Sequence, residues 1–357
     1  MNIAAAPRAA RRNWPRILWR LFFVQVGLLI AIVAGAAIYN SWAFHHHRAL
    51  YPPPGRIYRV DGYGMHLNCI GSGTPSIVLE SGMGNDWMIW RKVQPELATL
   101  TRVCSYDRAG YGWSDSRPGA RDANSIAGQL HDLLSAADLQ GPVVLMGHSI
   151  AGMYLRAYLS KYPRGIAGLV LLDASTPEQV TQLPAELAEM QRQFVARLGW
   201  YRPLIALGVA RMAGQCGDED SSLPPAYAQW LKADNNCNPG LIETYRREAQ
   251  QVESSAAETL HTGPFGDLPL LIFSQDPEKT SPGMPEELQR KAAPIWTSLQ
   301  EGLKKLSSRS RRIVAKGSSH HVQLDRPELV NREVTLFIGE IRGNAAARSD
   351  WGSTKVE

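Results

Sequence analysis

Residues 1–60 contain no aspartate, glutamate or lysine, although the 357-residue chain carries 38 Lys and Arg and 33 Asp and Glu. Eight arginines fall in that stretch (Arg8, Arg11, Arg12, Arg16, Arg20, Arg48, Arg56 and Arg59), so with a net charge of +5 the rest of the chain carries −3. The basic character belongs to the N-terminus, which argues against a nucleic-acid partner for the remainder. Cysteine is scarce: there are four and no Cys-x-x-Cys pair, which removes the usual zinc frameworks. Gly82-Met83-Gly84 begins like a dinucleotide fingerprint but lacks the third glycine, so no nucleotide cofactor is expected, and no metal. No internal repeat or low-complexity tract occurs, which excludes solenoids and propellers. The composition, 44% hydrophobic and 20% charged, suits one large domain with an insertion or two modest domains.

Charge is also missing from Leu21 to Tyr39, nineteen residues interrupted mainly by Gln25. At ~1.5 Å per residue this run nearly spans the ~30 Å hydrocarbon core of a bilayer. Five arginines precede it, and Trp14, Trp19, Tyr39 and Trp42 sit at its edges, where amphipathic rings prefer the interface. The pattern predicts a basic cytoplasmic segment at 1–20 and a single-pass anchor at 21–40 in the inner membrane, with everything beyond on the periplasmic side. A cleaved signal peptide is the alternative, because Ala34-Gly35-Ala36 offers a small-residue site that would release the chain; the length of the basic region and the continuation through Ile38 and Tyr39 favour the anchor. Residues 41–55, with His45-His46-His47 and Pro52-Pro53-Pro54, read as an extended linker in which the three histidines have no fixed geometry for a metal. Export makes a disulfide the natural staple for Cys216 and Cys237, 21 positions apart in a Gly-, Asp- and Asn-rich stretch.

Beyond the linker, short apolar runs alternate with helical spacing. Arg56 to Val60, Met65 to Ile70 and Ser76 to Glu80 read as a strand meander. Thr101 to Tyr106, Pro142 to Met146, Gly168 to Asp173, Leu268 to Ser274 and Arg311 to Ala315 are continuous apolar segments of the parallel-sheet kind. Trp87 to Leu100, Ser125 to Ala137, Ile150 to Tyr162 and Met284 to Leu306 carry helical spacing. The region from 177 to 260 breaks the rhythm with helical periodicity alone, and its Met190, Phe194, Trp200, Trp230 and Tyr245 read as the packing of those helices.

The chemistry is concentrated at Gly147-His148-Ser149-Ile150-Ala151-Gly152, between an apolar strand and a helix. A strand-to-helix turn this tight leaves almost no room for side chains at 147 and 151 and pushes Ser149 out into a cleft, as a nucleophile requires. Downstream, Asp276 follows the strand ending at Ser274, and His320 lies in Gly317-Ser318-Ser319-His320-His321 after the strand ending at Ala315. Serine, acid and base thus follow in that order, each just past a strand end. Asp276 would orient His320, and His320 would take the proton of Ser149. His321 competes for the base position. Asp173 is the reserve acid, its plainer role being to cap the turn after its strand. His148 reads as a packing residue.

With Leu79-Glu80-Ser81-Gly82-Met83-Gly84 and Tyr106-Asp107-Arg108-Ala109-Gly110-Tyr111-Gly112-Trp113-Ser114-Asp115, these motifs resemble the α/β-hydrolase superfamily from about Arg56 to Arg342. The resemblance implies an α/β fold with a mostly parallel eight-stranded sheet, helices on both faces, a core at 56–175 and 265–342, a helical cap at 176–264 above Ser149, and a flexible tail at 343–357. It places the oxyanion donors at the backbone N–H groups of Ile150 and Met83 and makes Asp107 and Arg108 structural ion-pairing residues near the cleft floor. It makes the strands bearing Cys69 and Cys104 neighbours, either as a disulfide or as two buried thiols. Two departures stand out: Ala151 occupies a position that is usually glycine, which requires a negative φ or a slightly open turn, and the loop after the third strand has Glu-Ser-Gly-Met-Gly where many relatives have His-Gly. The expected activity is cleavage of a carboxylic ester of a small acyl substrate through an acyl-enzyme on Ser149, without a cofactor. The same fold also serves lipases, thioesterases, peptidases, carbon–carbon hydrolases, cofactor-free haloperoxidases and idle binding modules. Ser149 argues against the epoxide hydrolases and dehalogenases, whose nucleophile in this superfamily is an aspartate.

Overall fold

The computed structural model describes residues 14–139, 141–216, 223–233, 237–279, 283–343 and 350–357. Most of the expected basic segment, residues 1–13, lies outside the described residues. The chain opens with helix α1 (Trp14–Leu50), 37 residues long. It runs on through most of the stretch expected to be an extended linker, because nothing between Tyr39 and Leu50 breaks a helix. The stop comes from Pro52-Pro53-Pro54, which can neither donate to the helix ladder nor let the preceding residue stay helical.

A hairpin of β1 (Arg56–Val60) and β2 (Tyr63–Ile70) follows, then β3 (Ser76–Glu80), α2 (Gln94–Leu97) and β4 (Val103–Tyr106). The expected helix over 87–100 is broken into a short 3₁₀ turn, Trp87–Trp90, and α2. Next come α3 (Ala123–Ala136), β5 (Val143–His148), α4 (Ala151–Lys161) and β6 (Ile166–Leu172). Among the described residues six helices then form the insertion: α5 (Gln179–Gln182), α6 (Ala185–Ala206), α7 (Val209–Met212), α8 (Pro225–Ala233), α9 (Pro239–Ala249) and α10 (Val252–Thr259). The chain returns to the sheet with β7 (Leu270–Ser274), α11 (Glu286–Gly302), β8 (Ser310–Val314), α12 (Val322–Asp325), α13 (Pro327–Ile341) and β9 (Thr354–Val356).

Among the described residues the strands form one nine-stranded sheet in the order β1-β2-β4-β3-β5-β6-β7-β8-β9, parallel from β4 onwards through the centre. Two expectations are corrected here. The first three strands are not a meander, since β3 crosses over to lie between β4 and β5 while β2 pairs antiparallel with β4. The tail also gives a ninth strand, Thr354–Val356, on the edge of β8.

Continuous apolar strands are stable here because both sheet faces are covered. Val143 and Leu145 of β5 face the core shared with α3 and α4, while Val144 and Met146 face the core shared with α2 and α13. The same alternation continues in β6 (Leu169 and Leu171 against Val170 and Leu172) and in β7 (Leu270 and Ile272 against Leu271 and Phe273). Helix α3 is capped as its sequence allows: Asp122 accepts from the backbone N–H of Ser125 at 2.9 Å. The cap helices behave differently. Trp230 packs against Trp87 and Tyr227, and the half-exposed Phe194 meets Tyr245 edge-on, but Met190 and Trp200, expected as packing residues, are exposed.

Both cysteine pairs are disulfides, Cys69–Cys104 and Cys216–Cys237. The first joins directly opposed residues of the antiparallel β2–β4 pair. It closes a separation of 35 residues, for which the loop-entropy estimate is about 3–4 kcal/mol. Cys69→Val combined with Cys104→Ala is therefore expected to lower the unfolding free energy by about 3 kcal/mol under non-reducing conditions, read from urea unfolding as a lower midpoint.

Candidate active site

Strand β5 ends at His148 and α4 begins at Ala151, leaving two residues to reverse the chain. Ser149 takes φ +59°, in the left-handed region that an L-residue adopts only where the surroundings hold it. The turn is held by Ser149 N–H donating to the Leu172 carbonyl at 3.1 Å and by Gly152 and Ser175 N–H groups donating to the Ser149 carbonyl at 2.9 and 2.7 Å. The departure at Ala151 is resolved by its place inside α4, where φ is negative. The close approach falls at Gly152 instead, where a Cβ would come within 2.4 Å of the Ser175 carbonyl oxygen.

Ser149 and His320 are brought together as the sequence order implied: Ser149 Oγ is 2.9 Å from His320 Nε2. The carboxylate that meets His320 is not the expected one. His320 Nδ1 lies 2.6 Å from Asp173 Oδ2, whereas Asp276 turns its carboxylate to its own loop. Asp276 accepts from the backbone N–H groups of Gly317 at 2.8 Å and Glu278 at 3.0 Å, and the Gly317 hydrogen bond draws its pKa below the ordinary carboxylate value despite some burial. It ties the β7 loop to the histidine loop and so supports His320 indirectly. Asp173 directly follows β6, next to β5 in the sheet, takes φ +42° and turns its side chain to His320. The carboxylate is fully buried, and its second oxygen accepts from Trp296 Nε1 at 2.9 Å and the Gln275 backbone N–H at 3.1 Å. With Nδ1–H given to Asp173, His320 presents an unprotonated Nε2 to the serine.

His321 makes no such contact, and its pKa is lowered by burial and by neighbouring His320. His148 lies beneath both and donates Nε2–H to the His320 carbonyl at 2.9 Å. Burial, reinforced by His320 and His321, pushes its imidazole well below the ordinary value and keeps it neutral. Met83 and Ile150 line the cleft beside Ser149 and His320. The loop bearing Met83 is clamped by Arg108, which donates to the Ser81 carbonyl at 2.5 Å and the Gly82 carbonyl at 2.9 Å.

Arg108 is the residue whose part was least legible. Ion pairing was expected, but not its reach: Arg108 pairs with Glu80 of β3 at 2.7 Å and with Glu248 of α9 at 2.8 Å, while Arg121 meets the other oxygen of Glu248 at 2.9 Å. Tyr154 adds a hydrogen bond to Glu248 at 3.1 Å, and Tyr106 donates to Glu80. Burial opposes the Arg108 charge, yet Glu248 and Glu80 outweigh it and raise its pKa. Burial raises that of Glu80 more than Arg108 lowers it. Asp107 is engaged elsewhere, with His66 at 2.7 Å.

The cleft over Ser149 encloses about 1250 Å³ and is roofed by the insertion, with Leu183, Leu187 and Val195 on its apolar side and Arg192, Arg202 and Glu243 on its polar side. Trp296 and Glu248 gave no signal in the sequence as site residues, each lying in an ordinary helical pattern.

Known proteins now bear on this geometry. The model of the alpha/beta hydrolase family matches residues 77–333, most of the chain. The chain belongs to that family. Among curated relatives, the uncharacterized protein YbdG of Bacillus subtilis is 28% identical over 170 residues, 46% of this chain and 52% of YbdG, so the chain matches about half the length of that relative. Solved structures similar to this hydrolase include a thermophilic esterase from Thermogutta terrifontis, with TM-score 0.55, 19% identity and coverage of 81% of this chain and 99% of the esterase. A putative epoxide hydrolase from Pseudomonas aeruginosa matches with TM-score 0.59, 18% identity and coverage of 82% and 97%. At these identities the likeness is one of fold.

Two outcomes follow. Asp173→Asn is expected to slow the reaction of Ser149 with a fluorophosphonate by ~10³- to 10⁴-fold by disturbing the His320 tautomer, and Asp276→Asn by about tenfold or less; second-order labelling rates compare them. For His148, a folded pKa below the ordinary 6.5 means the unfolded chain binds the extra proton, so stability is lost as pH falls below 6.5. Urea melts between pH 7 and 5 are expected to show His148→Asn flattening that acid loss by up to ~1.4 kcal/mol per pH unit.

Proposed function

We propose that this hydrolase is a membrane-anchored serine esterase that cleaves a carboxylic ester through an acyl-enzyme on Ser149. The observation that carries the reading is the continuous line from Ser149 Oγ through His320 to the buried Asp173 carboxylate, opening on the cleft. In this reading His320 Nε2 takes the hydroxyl proton as Ser149 Oγ attacks the ester carbonyl carbon. The carbonyl oxygen becomes an oxyanion facing the N–H groups of Ile150 and Met83. Collapse expels the alcohol, which leaves with the proton held by His320 and leaves the acyl group on Oγ. Water then attacks the acyl carbon and gives a proton to His320; on collapse the bond to Ser149 Oγ breaks, His320 returns that proton to Oγ, and the carboxylic acid departs. Asp173 stabilises the imidazolium in both halves, and no cofactor enters.

Ser149 rather than an aspartate at the elbow favours acyl transfer over epoxide opening, since attack by an aspartate and not a hydroxyl starts the latter. The anchor rests on the apolar part of α1, whose most hydrophobic window is wholly unburied, on the arginines before it and on the two disulfides, which suit an oxidising compartment. Contacts of α1 with the cap through Ala36, Asn40 and Ala43 favour retention of this helix over its removal as a signal.

Fluorophosphonate labelling of membranes tests both halves. The wild type is expected to label, Ser149→Ala to lose the label completely, and the band to resist carbonate and leave only with detergent. An unlabelled wild type refutes the esterase, and release by carbonate refutes the anchor.

A further inference from the structure

Among the described residues, the cap presents an apolar face that no core residue covers. On α6 and α7, Trp200 is 80% exposed, Met212 59% and Tyr201 56%, with Phe194, Leu204 and Leu207 exposed beside them. At 100° per residue, Met190, Phe194, Trp200, Tyr201 and Leu204 share one side of α6. Val195, Gly199 and Arg202, which line the cleft, occupy the opposite side. A single helix, ~10 Å thick, thus separates the cleft from this face.

What meets that face is indicated by its neighbour. Ala36, Asn40 and Ala43 are the buried residues of α1, spaced along one stripe, on a helix that meets α6, α7 and α8 of the cap. Asn40 donates Nδ2–H to the Ile205 carbonyl at 3.0 Å and accepts from Arg211 Nε at 2.7 Å. Gly208, at φ +77°, brings its backbone so close to α1 that a Cβ would stand 2.4 Å from the Ala36 carbonyl oxygen. Ala36 is one turn inward from Asn40, ~6 Å along the helix, and belongs to the uncharged run read as the span. The corner between α6 and α7 is therefore held below the level at which the anchor leaves the hydrocarbon. Apolar faces of interfacial helices lie ~5–10 Å deep, with Trp and Tyr at the boundary and Arg near the lipid phosphates. Arg197 shares this face and is exposed.

We propose that the outward face of α6 and α7 is seated in the outer leaflet of the bilayer beside α1, and that the cleft draws its ester from that leaflet as a long-chain acyl lipid. The seating rests on the anchor reading, and the substrate class on the Ser149 reading.

Because the native cysteines are paired, single cysteines placed at Trp200, Met212 and, as a control, Arg290 of α11 take one NBD label each in the full chain. These are reconstituted in phosphatidylethanolamine–phosphatidylglycerol vesicles containing doxyl-labelled phosphatidylcholine. Emission at 200 and 212 is expected to fall at least ~twofold, while emission at 290 is unchanged. Equal emission at all three sites in carbonate-resistant vesicles would overturn the seating, and energy transfer between labelled copies without lipid quenching would make the face a dimer interface instead. Washing off by carbonate would remove the anchor and the seating together. In the second arm, Trp200→Glu with Met212→Glu is expected to slow turnover of a long-chain ester held in vesicles ~tenfold and to leave a soluble short-chain ester within ~twofold. Equal loss on both esters would overturn the lipid source, and a wild type that cleaves neither would remove the Ser149 reading while quenching still decides the seating.

Discussion

The site depends on two neighbouring parallel strands that end in residues forced into the left-handed region. Ser149 at φ +59° and Asp173 at φ +42° stand at the ends of β5 and β6, which are hydrogen-bonded neighbours. Each such conformation costs of order 1 kcal/mol or more and persists only where the surroundings dictate it. For Ser149 these are the Leu172 carbonyl, which belongs to β6, and the N–H groups of Gly152 and Ser175. For Asp173 they are the Phe273 carbonyl of β7 and two donors on the carboxylate. The backbone that strains the serine thus also delivers the Asp173 carboxylate to His320, which needs only to bridge a separation already set by the sheet.

A second constraint joins the cap to this frame. Glu248 brings a carboxylate of α9 into a fully buried site, where two arginines and a tyrosine receive it. A buried ion pair is weak evidence for stability, because desolvation consumes most of the attraction. Geometry is what this cluster contributes: Arg108 holds the Ser81 and Gly82 carbonyls and Glu248 at once, so the loop bearing Met83 and the helix roofing the cleft share one anchor point. Movement of the cap away from the core would leave charges unpaired in a dry interior, at a cost of several kcal/mol. The cap is therefore pinned at α9, while its α6 side, which among the described residues has no comparable buried ion pair with the core, is left to meet α1.

The eight strands of the sheet were legible because each is a continuous apolar run buried on both sides, and Ser149 and His320 because strand ends bracket them. The acid was not, because Asp173 and Asp276 both follow strands and both precede His320 in the chain. Order along the sequence cannot separate them. What separates them is lateral: Asp173 has a φ that aims it inward and donors that fix its second oxygen, whereas Asp276 meets two backbone N–H groups before it can reach the imidazole. The ninth strand escaped notice because Thr354–Val356 is three residues long with a lysine at its centre, too short for a period to emerge. The end of α1 was misjudged because histidines and a proline run suggested a linker, while helix continuity is decided by the first breaker, which is Pro52.

The cap aromatics carry the remaining argument. Helical periodicity reports that one side of a helix is apolar, but not what covers it, and on a water-soluble protein the answer is almost always the core. Here the apolar side of α6 faces away from the core because its other side is occupied by the cleft. An exposed indole and its neighbours would be an aggregation liability on a free domain. The liability disappears if the domain is tethered with that side against lipid, and α1 meets the α6–α7 corner through small and polar contacts rather than a broad apolar interface. Ala36 permits the close approach of the Gly208 backbone, and Asn40 satisfies the Ile205 carbonyl. Those are the contacts expected between helices that share a bilayer, so the chemistry of the seam and the exposure of the neighbouring face point to the same surroundings.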